Sequence, residues 1–322
     1  MATTGAGDGV PLVVTSGETM ALLATAAPGR LRHAHTLSLL AGGAESNVAI
    51  GLARLGLRAR WLSALGDDEL GELVLQRIRA EGVETWAARV AGRPTGLYLR
   101  EQVAGGIRVH YYRQGSAAST LAPGAFDVTA FSGAAYLHLT GITPALSADA
   151  AAFTRWAAGV AREAGARVSF DVNYRGKLWS PAAARDFTDS MLPLVDVLLA
   201  GTDEVETLWG WSDEDDALAR FAAAGPAEVI LKRGAAGCVA RLSGERLESA
   251  GFDVPVRDPI GAGDAFAAGY LAGSVWGEPP EQRLRIANTM GAFCIQAPGD
   301  YEGLPSRREL DDFLHDISDP GR

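Results

Sequence analysis

The sequence predicts an α/β fold in which helices cover both faces of a mostly parallel sheet, with a small second sheet projecting from it. Three observations predict it. Short apolar, β-branched runs alternate with longer amphipathic ones along most of the chain. One region, 95–114, breaks that rhythm with two β-like runs and no helix between them. The 322 residues, 48% hydrophobic and 21% charged, are enough for a large core and show no bias toward disorder.

The elements follow in order. VPLVV (10–14) reads as a buried strand, and TMALLAT (19–25) and HTLSLLAGG (35–43) as further short β candidates. SNVAIGLARLG (46–56) carries Val48, Leu52 and Leu55 at helical spacing and stops at Gly56. RARWLSALG (58–66) reads as a strand and DELGELVLQRIRAEG (68–82) as a helix ending at Gly82. TGLYLREQVAGGIRVHYYRQ (95–114) is a hairpin turning at Gly105-Gly106. The alternation resumes with strands at 134–141, 167–175, 195–201 and 227–234, and helical runs at 148–165 and 203–210. The tail DISDPGR is expected to fray. With no repeat or linker in between, residues 1–322 read as one domain, with strands from about 17–43 and 94–114 inserted as a lid or dimerisation surface.

Charge narrows the function. A net charge of −10 and a pI near 5.1 argue against a nucleic-acid partner, so any anionic ligand must be held by individual Arg and Lys residues. Cys238 and Cys294 stand far apart in no metal-like spacing and read as buried free thiols of a reducing compartment. The first residues lack the basic start of a signal peptide, Glu18 interrupts the apolar run that follows, and no stretch is long enough to span a bilayer. A cytoplasmic location without a membrane partner is expected.

DPIGAGDAFAAGYLAG (258–273) carries the chemistry. Gly261-Ala262-Gly263 lead into a helix-compatible segment, an arrangement that offers bare backbone N–H groups to an anion. Asp264 stands where a carboxylate would compete with that anion unless it has work of its own. The stretch is neither a P-loop nor a dinucleotide fingerprint: Gly176-Lys177 is followed by Leu178, and Phe266 occupies the third glycine position of GxGxxG. A tight packing turn of small residues is the plain alternative. A second cluster, LLAGGAESN (39–47), puts Gly42-Gly43 before a helix and Asn47 in its first turn, where Asn47 can bond a polyol or, like Ser46, cap the helix.

DPIGAGDAFAAGYL resembles the C-terminal signature of the PfkB, or ribokinase-like, carbohydrate kinases, and GGAESN resembles their N-terminal signature with Glu45 where many members carry a small residue or Pro. TGLYLRE, HYYRQGSA, SFDVNYR and GDYEGLP resemble the 2-keto-3-deoxygluconate kinase branch, and the similarity covers roughly 11–315. It implies a ribokinase-like three-layer αβα fold with a β lid, and ATP-dependent phosphorylation of a sugar-like hydroxyl. By resemblance, the N–H groups of Gly261, Ala262 and Gly263 form the anion hole and Asp264 is the general base, ionised like any ordinary Asp. Asp258 matches the acidic start of the signature, and a loop-capping role is expected of it.

Carrying over the sugar-acid pattern, Gly43, Asn47, Tyr98, Tyr111, Arg113, Arg175, Asp264 and Asp300 line the substrate site. Strand alternation puts Val109, Tyr111 and Arg113 on one face, which offers a stacking surface and a carboxylate fork. Arg175 follows the predicted strand at its carboxyl end, where open α/β sheets bind ligands. On the ATP side the resemblance points to Asn173, Lys232, Gly234, Gly237 and Asn288; an edge-strand Lys and helix-surface Asn residues are the plain alternatives. Mg²⁺ is expected with ATP. Glu204 is a water-mediated metal candidate or a solvated helix-start carboxylate, because Gly201 replaces the Asn of the usual N-x-x-E motif. A neutral ketose or nucleoside kinase and a non-catalytic binding protein are the rival readings. Pairing of lid edges in a homo-oligomer is expected.

Overall fold

The computed structural model describes residues 9–318 apart from Gly105, so that half of the expected 105–106 turn and the last residues of the tail lie outside it. The chain opens with β1 (Leu12–Ser16), β2 (Met20–Thr25), β3 (Leu37–Gly42), α1 (Ala44–Arg54), β4 (Arg58–Gly66), α2 (Glu69–Ala80) and β5 (Glu84–Val90). The expected hairpin follows as β6 (Leu97–Val103) and β7 (Gly106–Tyr112). Then come β8 (Ala134–Thr140), α3 (Ala148–Glu163), β9 (Arg167–Asp171), α4 (Pro181–Met191), β10 (Val197–Gly201), α5 (Thr202–Trp209), α6 (Glu214–Ala224) and β11 (Glu228–Lys232). β12 (Cys238–Leu242), β13 (Glu245–Ser249), α7 (Ala262–Val275), α8 (Pro280–Cys294) and α9 (Arg307–Ser318) complete it.

Nine strands form one sheet in the order β13-β12-β11-β10-β9-β8-β1-β4-β5. All its pairings are parallel except β11–β12 and β12–β13, because β12 runs against its neighbours and forms a hairpin with β13. Alternation decides which layer each side chain joins. Val13, Val197 and Leu199 pack with α1, α7 and α8 on one face. Leu12, Val14, Leu198 and Ala200 pack with α3 and α6 on the other. Each such side chain contributes about 1.5–3 kcal/mol on burial, so a one-residue register slip would be very costly.

β3-β2-β6-β7 form the small sheet; the two outer pairs are antiparallel and β2 pairs β6 in parallel. Its inner face carries a small apolar cluster of Met20, Leu22, Ala24 and Tyr98, with Val109 against it. Leu37 and Leu39 of β3 face outward and are exposed.

One expectation needs correction, and one hairpin went unread. The strand expected over 167–175 ends at Asp171, because Asn173 turns to φ 40° and the N–H of Tyr174 goes to Glu204 instead of the ladder. The β12–β13 hairpin escaped the sequence reading, since ERLES is too polar to read as a strand. Its signal was Ser243-Gly244, whose φ values of 52° and 83° suit a two-residue hairpin loop. Both cysteines are buried and free, as expected.

Candidate active site

The carboxyl ends of the parallel strands bring the polar residues together, as they do in open α/β sheets. Gly201 ends β10 beside Lys232 at the end of β11, and Thr140 ends β8 beside Asp171 at the end of β9. Over them sits the start of α7. Gly261 caps that helix at φ 82°, and a Cβ there would run into the carbonyl oxygen of Asp300, so only glycine fits. The helix start leaves the N–H groups of its first turn without intrahelical partners.

Asp264 lies in that turn and is buried. The Asn47 amide donates to one carboxylate oxygen at 2.9 Å and the Asn173 amide to the other at 3.4 Å. Burial pushes Asp264 up to about 7, although the Asn47 hydrogen bond and the Arg175 and Lys232 charges oppose this. The expectation of an ordinary aspartate is therefore corrected: desolvation outweighs the donors. Asn47 is not the helix cap, a position Gly43 occupies, so its amide is free for Asp264. The Oδ1 atoms of Asn47 and Asn173, with Asp171 Oδ1 and Glu45 Oε2, are buried acceptors without a donor.

Beside them Lys232 Nζ pairs with Asp171 Oδ2 at 2.6 Å and stands 3.4 Å from where a Gly263 side chain would begin. Burial lowers its affinity for a proton, but Asp171 and Glu204 more than offset this and hold the ammonium above its usual range. Lys232 is not on an edge strand, because β11 lies between β10 and β12. Glu204 is no solvated carboxylate either. One oxygen accepts the Tyr174 N–H at 2.6 Å and the other the Gly201 N–H at 2.7 Å, and burial raises its pKa. Among the described residues no group of three or more His, Cys, Asp or Glu side chains is placed to hold a metal ion.

On the small-sheet side, Tyr98 and Tyr111 stack with ring centroids 5.8 Å apart. The Tyr98 hydroxyl donates to Asp300 at 2.7 Å. Gly42 allows this approach, since a Cβ there would strike both groups. Gly43 backs onto Glu18 and Thr19. Arg113 follows β7 and is not a free fork: Nε donates to buried Glu18 at 2.6 Å, and Ser116 shares that carboxylate. Arg175 is exposed, bonds the Tyr174 carbonyl at 3.1 Å, and its charge is felt at Asp264. Further round, Gly234 opens the turn after β11, and a Gly237 side chain would meet the Ser249 carbonyl. Asn288 is buried, not on a helix surface, and donates to Ser249 O, Ser249 Oγ and Ala250 O at 3.0–3.2 Å.

The model of the pfkB family carbohydrate kinases matches residues 10–307. The chain belongs to that family. As a pfkB-family carbohydrate kinase it is 39% identical to the 2-dehydro-3-deoxygluconokinase of Bacillus subtilis, covering 94% of each chain. It is 36% identical to the 2-dehydro-3-deoxygalactonokinase of Haloferax volcanii, over 89% of this chain and 92% of that one. Among solved structures, the 2-dehydro-3-deoxygluconokinase of Thermotoga maritima superposes with a TM-score of 0.88 at 29% identity, covering 95% and 98% of the two chains. The three-layer ribokinase-like fold is thereby established.

Three residues of this carbohydrate kinase had no site role in the sequence reading: Glu18 and Glu45, noted there only as an interruption and a departure from the signature, and Arg100. Glu45 is fully buried on α1; Thr140 and Thr143 donate to it at 2.7 and 3.0 Å, and burial raises it to about 7. Arg100 pairs with Asp258 at 2.9 Å and Asp300 at 3.1 Å. Asp258 also caps its own loop, taking the Ile260 N–H at 3.1 Å as expected. None of the three carried a local signal for its role, because the partner of each lay far along the chain.

Proposed function

We propose that the chain phosphorylates 2-keto-3-deoxygluconate on its 6-hydroxyl with MgATP. The observation that carries this is the buried carboxylate of Asp264, held by two amides beside the free N–H groups of the α7 start and the Lys232 ammonium. Asp264 takes the proton of the attacking hydroxyl. The N–H groups of Gly261, Ala262 and Gly263 receive the γ-phosphoryl oxygens, and Lys232 offsets their charge. MgATP supplies the phosphoryl group, its magnesium spreading the negative charge. Glu204 would hold that ion through water, with a backbone N–H already engaging each of its oxygens. Gly234, Gly237 and Asn288 shape the nucleotide side, and Asn173 bridges it to Asp264. Gly43, Asn47, Tyr98, Tyr111 and Asp300 surround the sugar; Arg175 attracts its carboxylate, and Arg113 does so only against the pull of its partner Glu18. The relatives named for 2-dehydro-3-deoxy sugar acids support that substrate class.

A neutral-sugar kinase is the second reading, favoured by one observation: Glu18 already neutralises Arg113. A coupled MgATP assay over 2-keto-3-deoxygluconate, its galactonate epimer, fructose, ribose and adenosine separates the two. Turnover confined to the sugar acids is the expected result. Arg113→Ala and Arg175→Ala should each cut kcat/KM for the acid about tenfold or more, with little effect on a neutral sugar. Equal losses on both would remove the carboxylate argument.

A further inference from the structure

We propose that Arg100 is a positioning residue: from the small sheet it holds the two loops that shape the anion hole, without touching sugar or phosphate. This rests on the kinase reading above.

Arg100 projects from β6 and is almost fully buried. Its Nη1 lies 2.9 Å from Asp258 Oδ2 and 3.1 Å from Asp300 Oδ1, so one nitrogen joins two carboxylates on separate segments. Each segment leads to the helix start. Asp258 Oδ1 accepts the Ile260 N–H at 3.1 Å, immediately before Gly261. Asp258 Oδ2 accepts the Gly299 N–H at 3.1 Å, immediately before Asp300. The Asp300 carbonyl in turn lies against the α face of Gly261. Backbone bonds from Arg257 and Asp258 to the Ile295 carbonyl, at 2.8 and 3.2 Å, close the frame.

Removing the guanidinium would leave two buried carboxylates facing each other with no cation between them. They would repel or one would take up a proton; either way the bridge between the 258–261 and 295–300 segments is lost, and the N–H groups of Gly261, Ala262 and Gly263 would turn off the phosphoryl oxygens. A misplacement of about 1 Å at a reacting centre costs on the order of a hundredfold in rate. Any change in substrate affinity would be the smaller effect, because Arg100 is itself enclosed and reaches the sugar side only through Asp300. The same guanidinium couples the small sheet to the chemistry: the sheet cannot lift at β6 without breaking both ion pairs.

The test is steady-state kinetics of the full chain with MgATP and 2-keto-3-deoxygluconate, comparing wild type with Arg100→Met, Arg100→Lys, Asp258→Asn and the Arg100→Met/Asp258→Asn pair. Asp264→Asn runs alongside. Arg100→Met should lower kcat about tenfold to a hundredfold while the sugar KM stays within about threefold. Arg100→Lys should recover part of the loss, and the double variant should lose no more than its worse single. Should Arg100→Met not fold, the same kcat-specific loss is required of Arg100→Lys and Asp258→Asn. An Arg100→Met enzyme with wild-type kcat, beside an inactive Asp264→Asn, overturns the proposal and leaves the kinase reading intact. A raised KM with unchanged kcat makes Arg100 a substrate contact and also overturns it, as do losses that multiply in the double variant. A wild type inactive on every sugar in the panel overturns both readings.

Discussion

Asp264 shows how burial and function oppose each other in one side chain. Burial holds it near 7, far above its ordinary 3.8. A base must be ionised, so kcat/KM should climb as pH rises through about 7 and level off above; a flat profile between pH 6 and 8 would remove Asp264 from that role. The stability argument has the opposite sign. The folded state binds this proton more tightly than the unfolded one, so its contribution is fully present below about pH 4 and is lost as pH rises through about 7. Asp264→Asn should therefore lose about 10²–10⁴-fold in turnover yet be more stable than wild type at pH 8 by on the order of 1 kcal/mol, seen as a higher melting point. That gap should close toward pH 5, and a lower melting point at pH 8 would contradict the desolvation account. Glu45 and Asp300, raised by burial to about 7 and about 6, titrate in both proteins, so the difference isolates Asp264.

At the scale of elements, the start of α7 was legible in GAGD only together with the resemblance, because small residues before a helix also suit a tight packing turn. Gly261→Ala would need a left-handed alanine, costing about 1–3 kcal/mol, and would push the Asp300 carbonyl aside. We expect a fall in kcat with retained far-UV circular dichroism; full activity would mean that the helix start tolerates a different turn. The end of β9 was not legible. VNYR continues the strand pattern by propensity, and the ladder ends only because Asn173 turns to φ 40° and Glu204 captures the Tyr174 N–H.

For the whole molecule, the small sheet leaves β3 and β7 as edges, with Leu37, Leu39 and Tyr112 exposed. A second copy covering that surface is the arrangement we propose, and light scattering at micromolar concentration should then give a dimer mass. A monomer mass would leave those leucines as an ordinary exposed surface. No described helix is long and apolar enough to cross a membrane.

By itself the sequence determined the layers, because periods of 2 and 3.6 name the strands and helices and their alternation dictates a parallel sheet between them. It also marked the helix start that offers N–H groups, and the carboxylate placed there. Only the tertiary structure decided what each charge faces. Arg113 reads as a free fork until Glu18, 95 residues away, is found against it. Asp264 reads as ordinary until its burial and the Asn47 amide are seen. Arg100 has no reading at all until Asp258 and Asp300 close on it. The reason is physical: backbone preference is local and repeats along the chain, whereas a buried charge is governed by whatever the fold brings within a few ångströms of it.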